Sequence, residues 1–348
     1  MSTLSNPSQV LVRNIELFEQ QRVLVAGFSD DNFINELYEA GASQVTAFGL
    51  DYHNHKHVTK TLKHDNAKIQ FGAYFENPQQ HKWQQLILYW PKAKQRALYL
   101  LANLLPHLET NAEIYFVGDN KSGVKSAAKL ISDFCDKPVK VDSARHCALF
   151  RTEYTKAAPN FDKNQWLKTY QIQAADLTVN VTSLPGVFSH GELDLGTELL
   201  LENLGHLKMK RTLDFGCGCG VIGTYIGLKR PGIPLELVDI DALALESTRL
   251  TLAANGVEGK VYPSDGLSDI KGKIATIVSN PPFHTGIKTD YKVPEQFMST
   301  APQHLMDGGQ LRIVANSFLR YEPILKQYFA TTESIIENSK FKILSAKT

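Results

Sequence analysis

The sequence predicts an α/β protein with mostly parallel sheets, built as two tandem copies of one domain. Three observations predict it. Short β-rich apolar runs alternate with helical stretches along the chain, the pattern of strand–crossover–strand units. The first such run in each half ends in a glycine, Gly27 and Gly216, which lie 189 residues apart, a period too long for a solenoid. Landmarks then recur at matched offsets: 24 residues from Gly27 to Asp51 and 23 from Gly216 to Asp239, 64 from Gly27 to Pro91 and 65 from Gly216 to Pro281.

The elements follow in order. Residues 7–20 carry Val10, Leu11, Ile15, Leu17 and Phe18 at amphipathic-helix spacing. RVLVAGFSDD is a buried strand running into a turn at Gly27, and Asn32–Ala40 is helical. QVTAFGLD is a strand, KWQQLILYWPK holds another that ends at Trp90-Pro91, Ala93–Leu105 is helical, and AEIYFVGDN is a further strand. The polar stretch 156–165 reads as a linker, placing one domain at 1–160 and the other at 166–348. In the second half RTLDFGCGCG is a strand running into Gly216, Val221–Lys229 a helix and PLELVDID a strand. VYPS closes a third, IATIVS runs into Asn280-Pro281-Pro282, Pro294–Leu305 is helical and GGQLRIVAN is the next strand.

Bulk properties narrow the class. The chain has 348 residues, 43% of them hydrophobic, enough for two packed cores. The formal net charge is +1, so no whole-protein basic signature for nucleic acid is present, although the first half is the mildly basic one. Four cysteines are too few for a disulfide scaffold of this length. The N-terminus does not read as a signal peptide and no run reaches the ~20 apolar residues of a membrane span, so the expectation is a cytoplasmic protein.

Chemistry concentrates in the second half. Asp214-Phe215-Gly216-Cys217-Gly218-Cys219-Gly220 follows an apolar strand and precedes a helix. Glycines at alternate positions let the backbone turn tightly and let a ligand lie against it. The spacing G-x-G-x-G, unlike G-x-G-x-x-G, suits a ligand without a pyrophosphate. Asp239, with Ile240 after it, ends the next strand, where a carboxylate can accept both hydroxyl hydrogens of a ribose. Asp241 is the better helix cap. Asp265 follows the third strand, where it could accept from an adenine amine.

Asn280-Pro281-Pro282-Phe283 ends the fourth strand. Two prolines give a stiff segment without N–H groups, so its carbonyls can face a ligand. The Asn280 amide oxygen and the Pro281 carbonyl can accept from one NH₂ group, and Phe283 offers a flat face to a planar substrate. Cys217-x-Cys219 has no second pair and no histidine nearby in sequence, so no metal is expected. Leu184–Thr197, with Gly186 and Gly191, reads as a lid, the alternative being a simple hairpin. Phe188, Phe283 and His284 are the candidates on the substrate and lid side.

These motifs together resemble the class I S-adenosylmethionine-dependent methyltransferases that act on nitrogen. Within them the chain resembles the bacterial RsmC-type ribosomal RNA small-subunit guanine-N2 methyltransferases, through segments such as LPGVFSHGELDLGTELLL, TLAANGVEG, SNPPFHTG and QLRIVAN. The resemblance implies two tandem Rossmann-like methyltransferase domains, the first without a cofactor site. It implies S-adenosylmethionine as cofactor and 16S ribosomal RNA, within the 30S subunit, as partner. It places Asp214, Gly216, Cys217, Gly218, Gly220, Asp239, Ile240 and Asp265 at the cofactor, and Asn280, Pro281, Pro282 and Phe283 at the target amine. A monomer is expected, the duplication supplying an internal partner.

The first half has Gly27 but no glycine run, and Phe28 would fill the space a cofactor needs. Lys121, Lys125 and Lys129 would line one face of a helix at 122–131, and Lys92, Lys94 and Arg96 form a second basic cluster, both candidates for phosphate contact. The amine motif alone also suits a protein glutamine amide or adenine N6. An RNA-binding protein on a dead methyltransferase fold is the alternative from another class.

Overall fold

The structure, a computed structural model, describes residues 4–189, 191–205, 207, 210–281 and 292–348. It divides into two compact units, after Trp166. In the first, β1 (Arg22–Ala26), β2 (Gln44–Gly49), β3 (Lys68–Phe71), β4 (Trp83–Tyr89), β5 (Leu108–Asp119), β6 (Val139–Ala144) and β7 (Cys147–Glu153) form one sheet in the order β3-β2-β1-β4-β5-β7-β6. The five strands β1 to β5 are parallel, and the hairpin β6–β7 adds antiparallel to β5.

The second unit opens with the hairpin β8 (Lys168–Ala174) and β9 (Leu177–Ser183). Its main sheet holds β10 (Thr212–Phe215), β11 (Leu235–Asp239), β12 (Lys260–Pro263), β13 (Ile274–Ser279), β14 (Leu305–Asn316), β15 (Thr331–Glu337) and β16 (Phe341–Lys347). Their order is β12-β11-β10-β13-β14-β16-β15, the order of the first sheet strand for strand. Both units are Rossmann-like α/β folds with mostly parallel sheets, as the alternation of strand and helix predicts. The central strands are buried on both faces, so they read as apolar runs such as Val23–Ala26 and, with Thr276 as its one polar residue, Ile274–Val278.

The registers correct one pairing. Ala26 pairs Phe48, and Phe215 pairs Val238, so Gly49 is the counterpart of Asp239. Asp51 is instead the counterpart of Asp241: each is a helix N-cap whose carboxylate accepts a backbone N–H of the first turn, from Asn54 and from Leu243. The matched offset from glycine to acid had joined a cap to a strand-end acid. By the same registers Leu88 corresponds to Ser279, hence Tyr89 to Asn280 and Pro91 to Pro282.

Other expectations also change. The helix at residues 7–20 is two pieces, Asn6–Val12 and a 3-10 turn Ile15–Phe18. Asn14 donates its side-chain amide to Val10 O and to Asp142, which ends the first piece. The lysine helix at 122–131 is a turn, a 3-10 turn Val124–Ser126 and a five-residue helix Ala127–Ile131. Lys121, Lys125 and Lys129 are exposed, but the continuous helical face that would align them does not form. The predicted linker is not loose, since Phe161 and Trp166 pack edge-on against Tyr99 at 5.5 and 5.4 Å.

The hairpin β8–β9 is held by the helix Ala242–Ala254 and its cap. Ser247, Thr251 and Asn255 are spaced i, i+4, i+8, one helical stripe. Their polar ends meet the backbone of β9 and its exit: Leu184 N–H donates to Ser247, Thr182 N–H to Thr251, and Asn180 N–H to Asn255. That ladder satisfies strand groups that have no neighbouring strand and anchors the segment from Leu184 onward.

Candidate active site

The site lies at the carboxyl ends of β10, β11, β12 and β13, where an open parallel sheet binds ligands. β10 delivers Asp214, fully buried, whose Oδ2 accepts Gly223 N–H at 2.8 Å. Its Oδ1 has no hydrogen-bond partner among the described residues. Burial pushes the Asp214 carboxyl up to about 7, with Asp239 adding to the rise.

The glycine loop folds as its spacing requires. Gly216, Gly218 and Gly220 all take positive φ, +69°, +55° and +78°. A Cβ on Gly216 would meet nothing within 4 Å, and one on Gly218 only Phe188 Cβ at 4.0 Å, so this part of the loop is an open cradle. Gly220 differs: a Cβ there would meet Thr248 at 3.0 Å, so the glycine lets the loop pack on the helix behind it. The intervening thiols point to protein. Thr248 Oγ1 donates to Cys217 Sγ at 3.2 Å, and Cys219 Sγ donates to Phe188 O at 3.2 Å. Among the described residues no group of three or more His, Cys, Asp or Glu is placed to hold a metal.

Asp239 ends β11 facing this loop. Its Oδ2 accepts Gly218 N–H at 2.9 Å and its Oδ1 accepts Asp241 N–H at 3.0 Å. Burial pushes the carboxyl up to about 6 against the backbone N–H groups of Asp241, Gly218 and Ile240, which favour its charged form. The residue stays partly exposed, as does Ile240 after it, so an outside donor can reach the carboxylate. Asp265, one strand further out, is also partly exposed; Ser264 N–H donates to Asp239 O at 3.1 Å and ties its turn to the same acid. An open cradle beside a partly exposed acid fits a nucleoside with ribose hydroxyls and no phosphate.

Asn280 sits at the end of β13, next to the loop, because Ser279 pairs with Phe215 and donates its hydroxyl to Phe215 O at 2.7 Å. The Asn280 side chain is fixed by residues that sequence reasoning did not assign. Its Nδ2 donates to Asp194 Oδ2 at 3.0 Å and to Thr197 Oγ1 at 2.9 Å. Asp194 also caps the helix Leu195–Glu202 by accepting Thr197 N–H at 2.8 Å. The one available sequence signal was an acid three residues before a threonine at the start of an apolar run, which reads as a helix start. Pro281 is buried; Pro282, Phe283 and His284 lie outside the described residues.

Within the segment expected to be a lid, the described residues 184–189 and 191–197 hold turns and the start of the capped helix; the hairpin β8–β9 lies before them. Phe188, 60% exposed, is held against the glycine loop through its carbonyl. The structure thus brings together Asp214, the glycine loop, Asp239, Asp265, Phe188 and Asn280.

Comparison with known proteins gives these findings. Residues 8–170 match the family described as Methyltransferase small domain N-terminal, and residues 178–345 match Methyltransferase small domain. The chain is 45% identical over 346 residues to Ribosomal RNA small subunit methyltransferase C of Aeromonas hydrophila, covering 99% of each chain. It is 43% identical to the protein of that name from Psychromonas ingrahamii, over 99% of this chain and 98% of that one. Among solved structures it resembles the T. thermophilus 16S rRNA N2 G1207 methyltransferase in complex with AdoMet and guanosine. The TM-score is 0.81 at 22% identity, covering 99% of this chain and 92% of the other, a likeness of fold.

Proposed function

The chain belongs to the ribosomal RNA small subunit methyltransferase C family, and on that premise we propose that it transfers a methyl group from S-adenosylmethionine to the exocyclic N2 amine of a guanine in 16S ribosomal RNA, with the 30S subunit as the substrate particle. The observation that carries the chemistry is the Asn280 amide, held by its nitrogen end beside the open glycine cradle.

In this reading Gly216, Cys217, Gly218 and Gly220 form the cofactor floor. Asp214 braces it through Gly223, Asp239 and Ile240 take the ribose, and Asp265 takes the adenine amine. S-adenosylmethionine supplies a methyl group already on a good leaving group. The residues of the chain must place the nitrogen in line with that methyl, and alignment of this type is worth ~7–11 kcal/mol. Guanine N2 is a weak nucleophile because its lone pair is delocalised into the ring. Asn280 Oδ1 and the Pro281 carbonyl accept its two hydrogens, turn the lone pair towards the methyl and stabilise the positive charge that develops on nitrogen. No base is needed beforehand, since the methylated nitrogen sheds a proton to water. The guanine must be unpaired or extruded, with Phe283 to stack on and Phe188 and His284 as further candidates for substrate contact.

The first unit, on this proposal, binds no cofactor and contacts RNA phosphates through Lys92 and Lys94, both exposed just beyond β4. The enzyme is read as a cytoplasmic monomer without a metal; among the described residues no helix is long and apolar enough to cross a membrane.

The test is methyl transfer from labelled S-adenosylmethionine to unmodified small-subunit RNA and to 30S particles, followed by nucleoside analysis. The expected result is labelled N2-methylguanosine, reduced about 100-fold in rate in Asn280→Ala, as for other preorganised polar contacts. Label confined to protein would move the function to a glutamine amide.

A further inference from the structure

We propose that Asp194 and Thr197 are positioning residues that dictate which end of the Asn280 amide meets the substrate. This rests on the reading of Asn280 as the acceptor for the target amine. An asparagine amide has a donor end and an acceptor end of nearly equal size, so packing alone does not choose between them. At Asn280 the choice is made chemically. An ionised carboxylate only accepts, so the group facing Asp194 Oδ2 at 3.0 Å must be Nδ2. The second Nδ2 hydrogen goes to Thr197 Oγ1 at 2.9 Å. Thr197 in turn donates its hydroxyl to Asp194 Oδ2 at 3.3 Å, which leaves its lone pairs for the amide. Both donors are consumed on one side. Oδ1 is left on the other, and no donor among the described residues is hydrogen-bonded to it. A flipped amide would set an oxygen against a carboxylate oxygen and leave two hydrogens without these partners.

The first unit supplies an internal control. Ser5 caps the helix Asn6–Val12, and Ser8, three residues on, shares a 2.7 Å hydrogen bond with Tyr89, the counterpart of Asn280. The spacing matches: Ser8 lies 18 residues before Ala26 and Thr197 lies 18 before Phe215. A hydroxyl at the third helical position, bonded to the residue at the carboxyl end of the fourth strand, is therefore part of both copies. What the first copy lacks is an acid as the capping side chain; its Asp31 accepts the backbone N–H of Ser5 at 2.8 Å instead. A hydroxyl cap can donate or accept and dictates nothing; an acid cap can only accept. The acid accompanies the copy whose strand-end residue must present an acceptor.

The capping role adds a coupling. One oxygen, Asp194 Oδ2, holds both Thr197 N–H and Asn280 Nδ2. The amide is oriented only while the first turn of the Leu195–Glu202 helix is formed, so that turn sets the acceptor.

The experiment is a double-mutant cycle in the full chain, with Asp194→Ser, Asn280→Ala and both together, assayed for kcat on 30S particles and for S-adenosylmethionine affinity. Serine keeps a good N-cap but replaces the acceptor-only oxygen with a hydroxyl. The expected result is kcat about tenfold lower in Asp194→Ser, cofactor affinity unchanged, and no further loss when Asp194→Ser is added to Asn280→Ala. The side-chain amide protons of Asn280, identified by their absence in Asn280→Ala, should exchange slowly with solvent in the native chain and faster in Asp194→Ser. A wild-type kcat in Asp194→Ser, or the same loss in both backgrounds, would overturn the inference and leave the role of Asn280 standing. A wild-type kcat in Asn280→Ala would remove the underlying reading instead. If Asp194→Ser melts well below the native chain, Thr197→Val carries the same cycle with the acid and cap in place, and the same two outcomes decide.

Discussion

The two units have the same strand order and the same helix-cap geometry ahead of their first parallel strand, yet they treat the end of that strand in opposite ways. In the second unit the chain runs through Gly216, Gly218 and Gly220, with open space above the first two. In the first unit Gly27 is followed by Phe28, which is 2% exposed, and its ring lies 3.0 Å from where a Cβ on Gly49 would be. Gly49 stands where the second unit has Asp239, and Tyr89 where it has Asn280. The backbone frame is thus indifferent to the chemistry at its mouth. Filling the cradle with a phenyl ring adds about 2 kcal/mol of burial and keeps the fold, while emptying it costs core and creates a site.

Importing the first unit's solution into the second is the largest test of that contrast. Cys217→Phe, the counterpart of Phe28, should lower S-adenosylmethionine affinity more than about 100-fold by calorimetry, its ring meeting the Asp239 side chain that Gly49 spares in the first unit, at an overpacking cost of at least about 1–3 kcal/mol of stability. Native affinity in that variant would break the comparison. A smaller effect sharpens the role of Asp239. Burial pushes its carboxyl up to about 6, and a protonated acid is the poorer acceptor of ribose hydroxyls. Cofactor affinity should therefore hold above pH 6 and fall as the pH drops below it, a dependence that Asp239→Asn weakens. The mildest test concerns the first unit. Lys92→Ala with Lys94→Ala should weaken RNA binding several-fold and lower the slope of log affinity against log salt by about two, leaving cofactor affinity alone.

What was legible in the sequence was local in the chain. The glycine loop, Asp239 and Asn280-Pro281 each announce themselves within a few residues of a strand end, and the alternation of runs and helices gave the α/β class. The pairs β6–β7, β8–β9 and β15–β16 went unread, because β6, β8 and β15 are largely exposed strands without a continuous apolar run. The Asp194–Asn280 contact spans 86 residues and exists only once the sheet is built. Asp51 was misassigned because a helix-capping acid and a ribose-binding acid have one signature, a carboxylate just past a strand. Only strand register separates them.

All four cysteines are free and buried, two in each unit, Cys135 and Cys147 in the first and Cys217 and Cys219 in the second. Burial pushes every one of these thiols up, Cys135 and Cys219 to about 12. A thiol attacks as its thiolate, so the native chain presents almost no nucleophilic sulfur to an alkylating reagent. Modification must wait for the surrounding structure to open, and its rate reads the free energy of that opening. Each copy of the fold thereby carries its own clock, and mass spectrometry of the labelled peptides would time the filled and the open copy in one tube.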